Sequence, residues 1–313
     1  VLGSVKYWDI LIYNYLREKN IVIPQKVAHE KAEKFEGAYV KEPLVGMHKW
    51  VMSFDLNSLY PHLIMQYNIS PETLVPSEPV TGLVDKLLAG KASNPTEHCM
   101  TPNGAFFRKD KRGFLPEIME TMYNDRTKYK KLMLQASQEY ENTKDPKLLK
   151  DISKYNNIQM AKKISLNSAY GAIGNNYFRY YDLMIASAIT TSGQLSIRWI
   201  EKSLNIYLNK LLETDNEDYV IASDTDSVYI TFDRLVDKLF GEGTETRKVV
   251  NFLDKIANEK LEPFIENSYT ALAKVTNAYD QKMQMAREVI ADKGVWTAKK
   301  RYILNLYDME GVR

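Results

Sequence analysis

The chain has 313 residues, enough to bury a large core in one large domain or in two to three smaller lobes. Its 42 Lys and Arg against 40 Asp and Glu leave a net charge of +2, so bulk composition declares no nucleic-acid binder and electrostatic attraction must come from local clusters. A single cysteine, Cys99, excludes an internal disulfide framework and fits a reducing, intracellular compartment, while only 4 scattered histidines argue against a structural zinc site.

The N-terminus opens Val-Leu-Gly-Ser without the basic and apolar regions of a signal peptide, and no apolar run downstream reaches the length of a membrane span. Because the first residue is Val1 rather than Met, a processed product or an excised fragment is expected. Apolar residues at Trp8, Leu11, Ile12, Tyr15 and Leu16 predict a helix to about Glu18, with Asn20 as a stop before a strand-like Ile21 to Ile23. Residues 24–48 mix Pro24, Gly37, Pro43 and Gly46 with charges, and read as a loop or linker with a short extended piece at Ala38-Tyr39-Val40. Trp50 to Leu56 is an apolar run with an acid near its end, the pattern of a buried strand that delivers the Asp55 carboxylate. Asn57 to Pro61 turns the chain, and His62 to Tyr67 reads as a helical turn or two.

Residues 68–114 hold five prolines and four glycines, so irregular structure with short strands is expected. A helix then begins at Leu115-Pro116 and continues to about Tyr140; Asn142 to Pro146 is a turn, and a second helix runs from Lys147 to Tyr170, ended by Gly171 and Gly174. A third long helix, Ile185 to Leu212, carries a core stripe through Ile189, Leu195, Trp199, Leu204 and Leu208. Tyr219 to Phe232 reads as two strands around the acidic tip Ser223-Asp224-Thr225-Asp226-Ser227. Thr246 to Ala278 is again helical, interrupted at Pro263; Lys282 to Ile290 and Trp296 to Tyr307 form a final strand pair joined through Asp292-Lys293-Gly294. Strands and helices alternate without βαβ regularity, so the class is α+β with a largely antiparallel sheet.

Three groups of residues carry chemistry. In an extended chain Asp224 and Asp226 would project from one face, and two like charges that close call for a cation; a solvated turn fits the same residues. With Asp55 they make three strand-end carboxylates, a set that could hold two magnesium ions for in-line displacement at phosphorus. Arg126 and Lys130 share a helix face with Lys128 and Lys131 nearby, and Lys163, Asn167 and Tyr170 recur at helical spacing on the next helix. Arg126, Lys130 and Lys163 could grip a triphosphate with Tyr170 beside its base, although a solvated basic face is the plainer reading of any one lysine. Lys299-Lys300-Arg301-Tyr302, read as lying within a strand, would send Lys300 and Tyr302 to one side and Lys299 and Arg301 to the other, interleaving cations and a ring as a nucleic-acid backbone requires. Gly37-Ala38-Tyr39 and the Arg108 to Arg112 cluster are weaker signals.

Taken together, these stretches resemble the B-family DNA polymerases, most closely those of T-even-type bacteriophages. Ser53-Phe54-Asp55-Leu56-Asn57-Ser58-Leu59-Tyr60-Pro61 resembles the family's first palm motif, Lys163 to Gly171 its fingers motif, and Asp224-Thr225-Asp226-Ser227 its second palm motif. Lys299 to Tyr302 is similar to the primer-template motif, and Gly37-Ala38-Tyr39 to a template-side motif. The likeness runs over essentially the whole chain in the family's order. It departs at His62, where the family usually has Ser, and at Ala222-Ser223, where it usually has Tyr-Gly.

The resemblance implies a palm with a mostly antiparallel sheet and a two-helix fingers hairpin. Residues 1–26 would be a helix and linker from a preceding region, 27–114 and 176–313 the two parts of the palm, and 115–175 the fingers; exonuclease and thumb are expected to be absent. It implies that Asp55 and Asp224 bridge two Mg2+ ions, with Mn2+ a possible substitute, that the Leu56 carbonyl is a further ligand, and that Asp226 is an accessory acid, with Glu288 nearby. Ser58, Leu59, Arg126, Lys130, Lys163 and Asn167 would bind the incoming dNTP, Tyr60 would exclude a 2′-hydroxyl, and Tyr170 would line the nascent pair. Gly37, Tyr39, Lys300, Arg301 and Tyr302 would contact primer-template DNA. The implied function is nucleotidyl transfer to a primer 3′-hydroxyl in the cytoplasm of an infected bacterial host, with separate exonuclease or thumb chains and a sliding clamp as further partners. Two rivals use the same residues: a split or truncated subunit inactive without those separate chains, and a two-metal nuclease or phosphatase, which leaves the basic helical stripe and Tyr60 without a task.

Overall fold

A computed structural model of the chain describes residues 3–28, 36–241, 243–309 and 311. Part of the predicted linker, 29–35, lies outside the described residues. Among the described residues the chain runs through helix α1 (Ser4–Glu18), strand β1 (Gly46–Leu56), helix α2 (Leu59–Gln66), and a small sheet of β2 (Leu74–Val75), β3 (Cys99–Met100) and β4 (Phe106–Phe107) that is interrupted by α3 (Leu83–Leu88). Three long helices follow, α4 (Phe114–Thr143), α5 (Lys147–Ile173) and α6 (Leu183–Leu212). Strands β5 (Val220–Asp224) and β6 (Ser227–Thr231) then lead to α7 (Asp233–Leu239), α8 (Thr246–Ile256), a π-helical turn at Ala257–Leu261, α9 (Glu262–Val275), and the last strands β7 (Met285–Ala298) and β8 (Arg301–Met309).

The main sheet has the order β5-β6-β1-β7-β8, and every neighbouring pair is antiparallel. The expected α+β class with a mostly antiparallel sheet is therefore what forms. Its central strand β1 is apolar on both sides for a reason. Met52, Phe54 and Leu56 enter the large core that includes Ile189, Ile197 and Leu204 of α6 and Tyr269 of α9, whereas Val51 belongs to a small second cluster with Ile221, Ala222, Tyr229 and Trp296. Helices thus cover one face. Among the described residues the other face carries only the small cluster, which leaves room along the strand ends, as antiparallel sheets permit.

Several expectations change. Ile21 to Ile23 forms no strand; Ile21 and Val22 are exposed and pair with nothing in a ladder. Gly171 lies inside α5, which ends at Ile173 with Gly174 as its cap. The short helices α3 and α7 fall where no long periodic pattern exists to announce them. Pro263 does not break its helix; a π-helical turn directly before it absorbs the irregularity and α9 starts with Pro in its first turn.

The largest difference concerns the last strand pair. Asp292-Lys293-Gly294 is not a turn but the middle of β7, where Lys293 pairs with Lys49 on one side and Asn305 on the other. Gly294 has a packing reason instead: an added Cβ would stand 2.6 Å from the Trp296 ring and 2.7 Å from Leu304. The actual turn is Lys299-Lys300, between the paired Ala298 and Arg301, with Lys300 at φ +60°. The cationic run therefore sits at a hairpin tip and cannot alternate across a strand as its sequence suggested.

Candidate functional site

The site begins with cross-strand register. Asp55 of β1 and Asp224 of β5 both stand opposite Ser227 of β6, one on each side, so their side chains share the sparsely covered face of the sheet. Two strand spacings put their Cα atoms on the order of 10 Å apart, within reach of a ligand placed between the side chains. Asp226 arrives differently from the extended geometry expected for it. Thr225, at φ +56°, turns the chain so that Asp226 occupies the hairpin turn, and the Asp226 carbonyl accepts the Leu56 amide at 2.8 Å. That bond ties the hairpin tip to the end of β1.

Electrostatics around this tip are unbalanced. Burial pushes the Asp226 carboxyl above the usual carboxylate range, and Asp224 and Glu288 push the same way, against its own backbone hydrogen bond and the Lys300 ammonium. Glu288 is the extra residue where β7 shifts register against Ser53 and Phe54, and it accepts from the buried Ser53 hydroxyl at 3.4 Å. A cation already leans on the cluster: Lys300 Nζ lies 3.3 Å from Asp224 Oδ1. Next to it Tyr302 stacks on Trp296, ring centroids 5.4 Å apart, and shares a 2.7 Å hydroxyl contact with Tyr229. Arg301 is exposed on the same hairpin.

Along the outer side of β5 runs the segment that holds Gly37 and Tyr39. The Tyr39 carbonyl accepts the Thr225 amide at 3.0 Å, Val40 bridges to Asp224, and the Gly37 carbonyl accepts from Gln194 of α6 at 2.6 Å. Lys41, missed by sequence reasoning, explains why this segment stays in place. Its largely buried ammonium pairs with Glu201 and Asp218 at 2.7 Å each and donates to the Val220 carbonyl. Nothing local in the sequence distinguishes this lysine, because its partners lie more than 150 positions away.

The turn between β1 and α2 brings the helical hairpin to the same place. Ser58, at φ +45°, caps α2, and its hydroxyl accepts from Arg126 Nη1 of α4 at 3.1 Å. Tyr60 packs on Tyr170 of α5 with centroids 4.7 Å apart, beneath Gly193 of α6. Burial first, then the nearby Tyr170 and Asp226, push the Tyr60 hydroxyl up to about 12. Lys130 lies one turn beyond Arg126, Asn167 one turn before Tyr170 and Lys163 one turn further, so both stripes run outward from the Ser58 to Tyr60 turn at roughly 6 Å per turn. Those three side chains are exposed. A second residue pair invisible to sequence reasoning, Lys162 with Asp125 at 2.8 Å, crosses between the helices beside Arg126 and Lys163.

Among the described residues, no group of three or more His, Cys, Asp or Glu side chains is arranged to hold a metal ion unaided. The donors present nevertheless suit magnesium, which takes one or two carboxylates and completes its shell with water and substrate phosphates. The crowding of Asp226 by Asp224 and Glu288 is the observation that favours a cation here.

The sequence family described as DNA polymerase family B matches residues 4–273. The chain belongs to DNA polymerase family B. It is of the T-even phage type: it is 38% identical, over its full length, to the DNA-directed DNA polymerase of Escherichia phage RB69 and 36% identical to that of Enterobacteria phage T4. DNA polymerase 1 of Pyrococcus abyssi is 30% identical over 85% of this chain and 30% of its own length. The chain spans 40% of the length of the two phage polymerases. B-family polymerases generally use divalent metal ions, which agrees with the oxygen-rich character of the hairpin.

Proposed function

We propose that this chain is the palm and fingers portion of a DNA-directed DNA polymerase that adds a dNTP to a primer 3′-hydroxyl. The observation that carries the reading is the meeting of Asp55 and Asp224 across Ser227 on one sheet face, with Arg126 on the adjoining Ser58 turn. Residues 27–114 and 176–313 are the palm, 115–175 the fingers, and 1–26 the helix and linker of a preceding region. Asp55 and Asp224 would hold the metal ions, with the Leu56 carbonyl as a further ligand and Asp226 as an accessory acid. Two Mg2+ ions, or Mn2+ in their place, would supply charge neutralisation at the attacking and leaving oxygens. The chain's own part is positioning. Arg126, Lys130, Lys163 and Asn167 bind the triphosphate with the Ser58 and Leu59 amides, Tyr60 and Tyr170 shape the sugar and base pocket, and Lys300, Arg301 and Tyr302 hold the primer while Gly37 and Tyr39 face the template.

Primer extension with Asp224→Ala tests the reading: the wild-type chain extends a primer and the variant does not, and equal extension by both would remove the metal assignment. A second reading of the same site is a subunit that needs separate thumb or exonuclease chains and a sliding clamp. Extension that appears only after a thumb-bearing chain is added would select it. In either case the site of action is the cytoplasm of an infected bacterial host, and no helix among the described residues is long and apolar enough to cross a membrane.

A further inference from the structure

His62 is buried, with 3% of its surface exposed, and its contacts converge on the phosphate-binding turn. Its Nδ1 lies 3.0 Å from the Ser58 carbonyl, and its backbone amide donates to the same oxygen at 3.2 Å. Because a carbonyl can only accept, Nδ1 carries the proton in this contact. The ring also packs edge-on against Tyr123 of α4, centroids 4.5 Å apart, and the Tyr123 hydroxyl bonds the Asn57 amide group.

Two geometric consequences follow. The Ser58 carbonyl and the Leu59 amide belong to one planar peptide unit and point in opposite directions, so fixing the carbonyl fixes where the amide is aimed. Ser58 sits in the left-handed region, which a serine adopts only when its surroundings hold it there. Tyr123 and Arg126 are three apart on α4 and share a face, so the ring contact also sets the height at which Arg126 reaches Ser58.

We propose that His62 is a positioning residue that aims the Leu59 amide and the Arg126 guanidinium at the incoming triphosphate, by clamping the Ser58 carbonyl and bracing Tyr123. The inference rests on the nucleotide-binding reading above and adds a residue to it. His62 works in its neutral form: burial, and then the facing Lys282 and Arg126, keep the imidazole below its ordinary value despite the Ser58 contact.

Three variants separate the parts. His62→Asn places an amide donor where Nδ1 stood, His62→Phe keeps a ring on Tyr123 without the donor, and His62→Ala removes both. With primer-template present, dATP binding weakens about tenfold in His62→Ala and less than about threefold in His62→Asn and His62→Phe, each of which keeps one of the two contacts, while the rate of the bound nucleotide's incorporation stays within about threefold of wild type. Binding of dATP by His62→Ala that equals wild type, or a loss that His62→Asn and His62→Phe both share in full, overturns the proposal. A nucleotide-free arm keeps it separable from the polymerase reading. Hydrogen exchange of the 57–66 peptide rises about tenfold in His62→Ala and not in His62→Asn. Unchanged exchange in His62→Ala overturns the clamp even in an active protein, whereas the expected rise in His62→Ala, in a protein whose wild type binds no dATP, overturns the nucleotide-binding reading and leaves the clamp standing.

Discussion

In the five-stranded sheet, Asp55 and Asp224 are held by backbone ladders and by a buried core on the far face, whereas Arg126, Lys130 and Lys163 hang from two long helices buried mainly near their base. The buried residues of α4 cluster at Phe114 to Met122, and those of α5 lie mostly at Leu166 to Ile173; between them, Leu134 and Leu149 are about half exposed. On the proposed function, the difference separates two demands of one reaction. Carboxylates that fix cations must be accurate to a fraction of an ångström, and register in a sheet supplies that accuracy. Cations that gather a triphosphate need reach and charge, which exposed helix faces supply.

The contrast can be broken at its rigid end first. Phe54→Ala empties a fully buried position between the strand's acid and its core, and should cost ~3–5 kcal/mol of stability in denaturant unfolding. A cost below ~1 kcal/mol would mean that the sheet is not the stiff half. Tyr60→Ala comes next, because Tyr60 joins the sheet end to both α5 and α6. It should raise ribonucleotide incorporation at least about tenfold in competition assays, and unchanged discrimination would remove its steric role. Arg126→Ala should weaken dNTP binding about tenfold, and Lys163→Ala by less, since Arg126 already touches the Ser58 hydroxyl while Lys163 is exposed. Equal losses would argue that both cations engage only after nucleotide arrives. Smallest of all, Leu149→Ala in the outer part of the hairpin should change stability by no more than ~0.5 kcal/mol, checked by the same unfolding assay.

Much of this arrangement was legible in the sequence because it is local. An apolar run ending at Asp55, an acidic tip between two β-rich runs, and two helices joined at Pro146 each declare themselves within about a dozen residues. Their order then revealed the family. What stayed hidden depends on partners far away in the chain. Gly294 reads as a turn residue until Trp296 and Leu304 are seen to need its missing Cβ, and the true turn falls on Lys299-Lys300, two residues with no turn preference. Asp226 followed the same logic: alternation placed it beside Asp224 on one face, but the left-handed Thr225 moved it into the turn. Lys41 and Lys162 are ordinary residues in the sequence and acquire roles only through Glu201 and Asp125, whereas His62 stands out in the sequence as a departure from the family but shows its contact with Ser58 only in the fold.

The central claim is that Asp55 and Asp224, neighbours across Ser227, jointly hold the divalent cations. Mn2+ binding followed by electron paramagnetic resonance, with primer-template and dATP present, tests it without relying on turnover. The account predicts that wild type binds two Mn2+ per chain and that Asp55→Ala and Asp224→Ala each lose high-affinity binding while retaining their fold. Undiminished Mn2+ binding in either folded variant would contradict it.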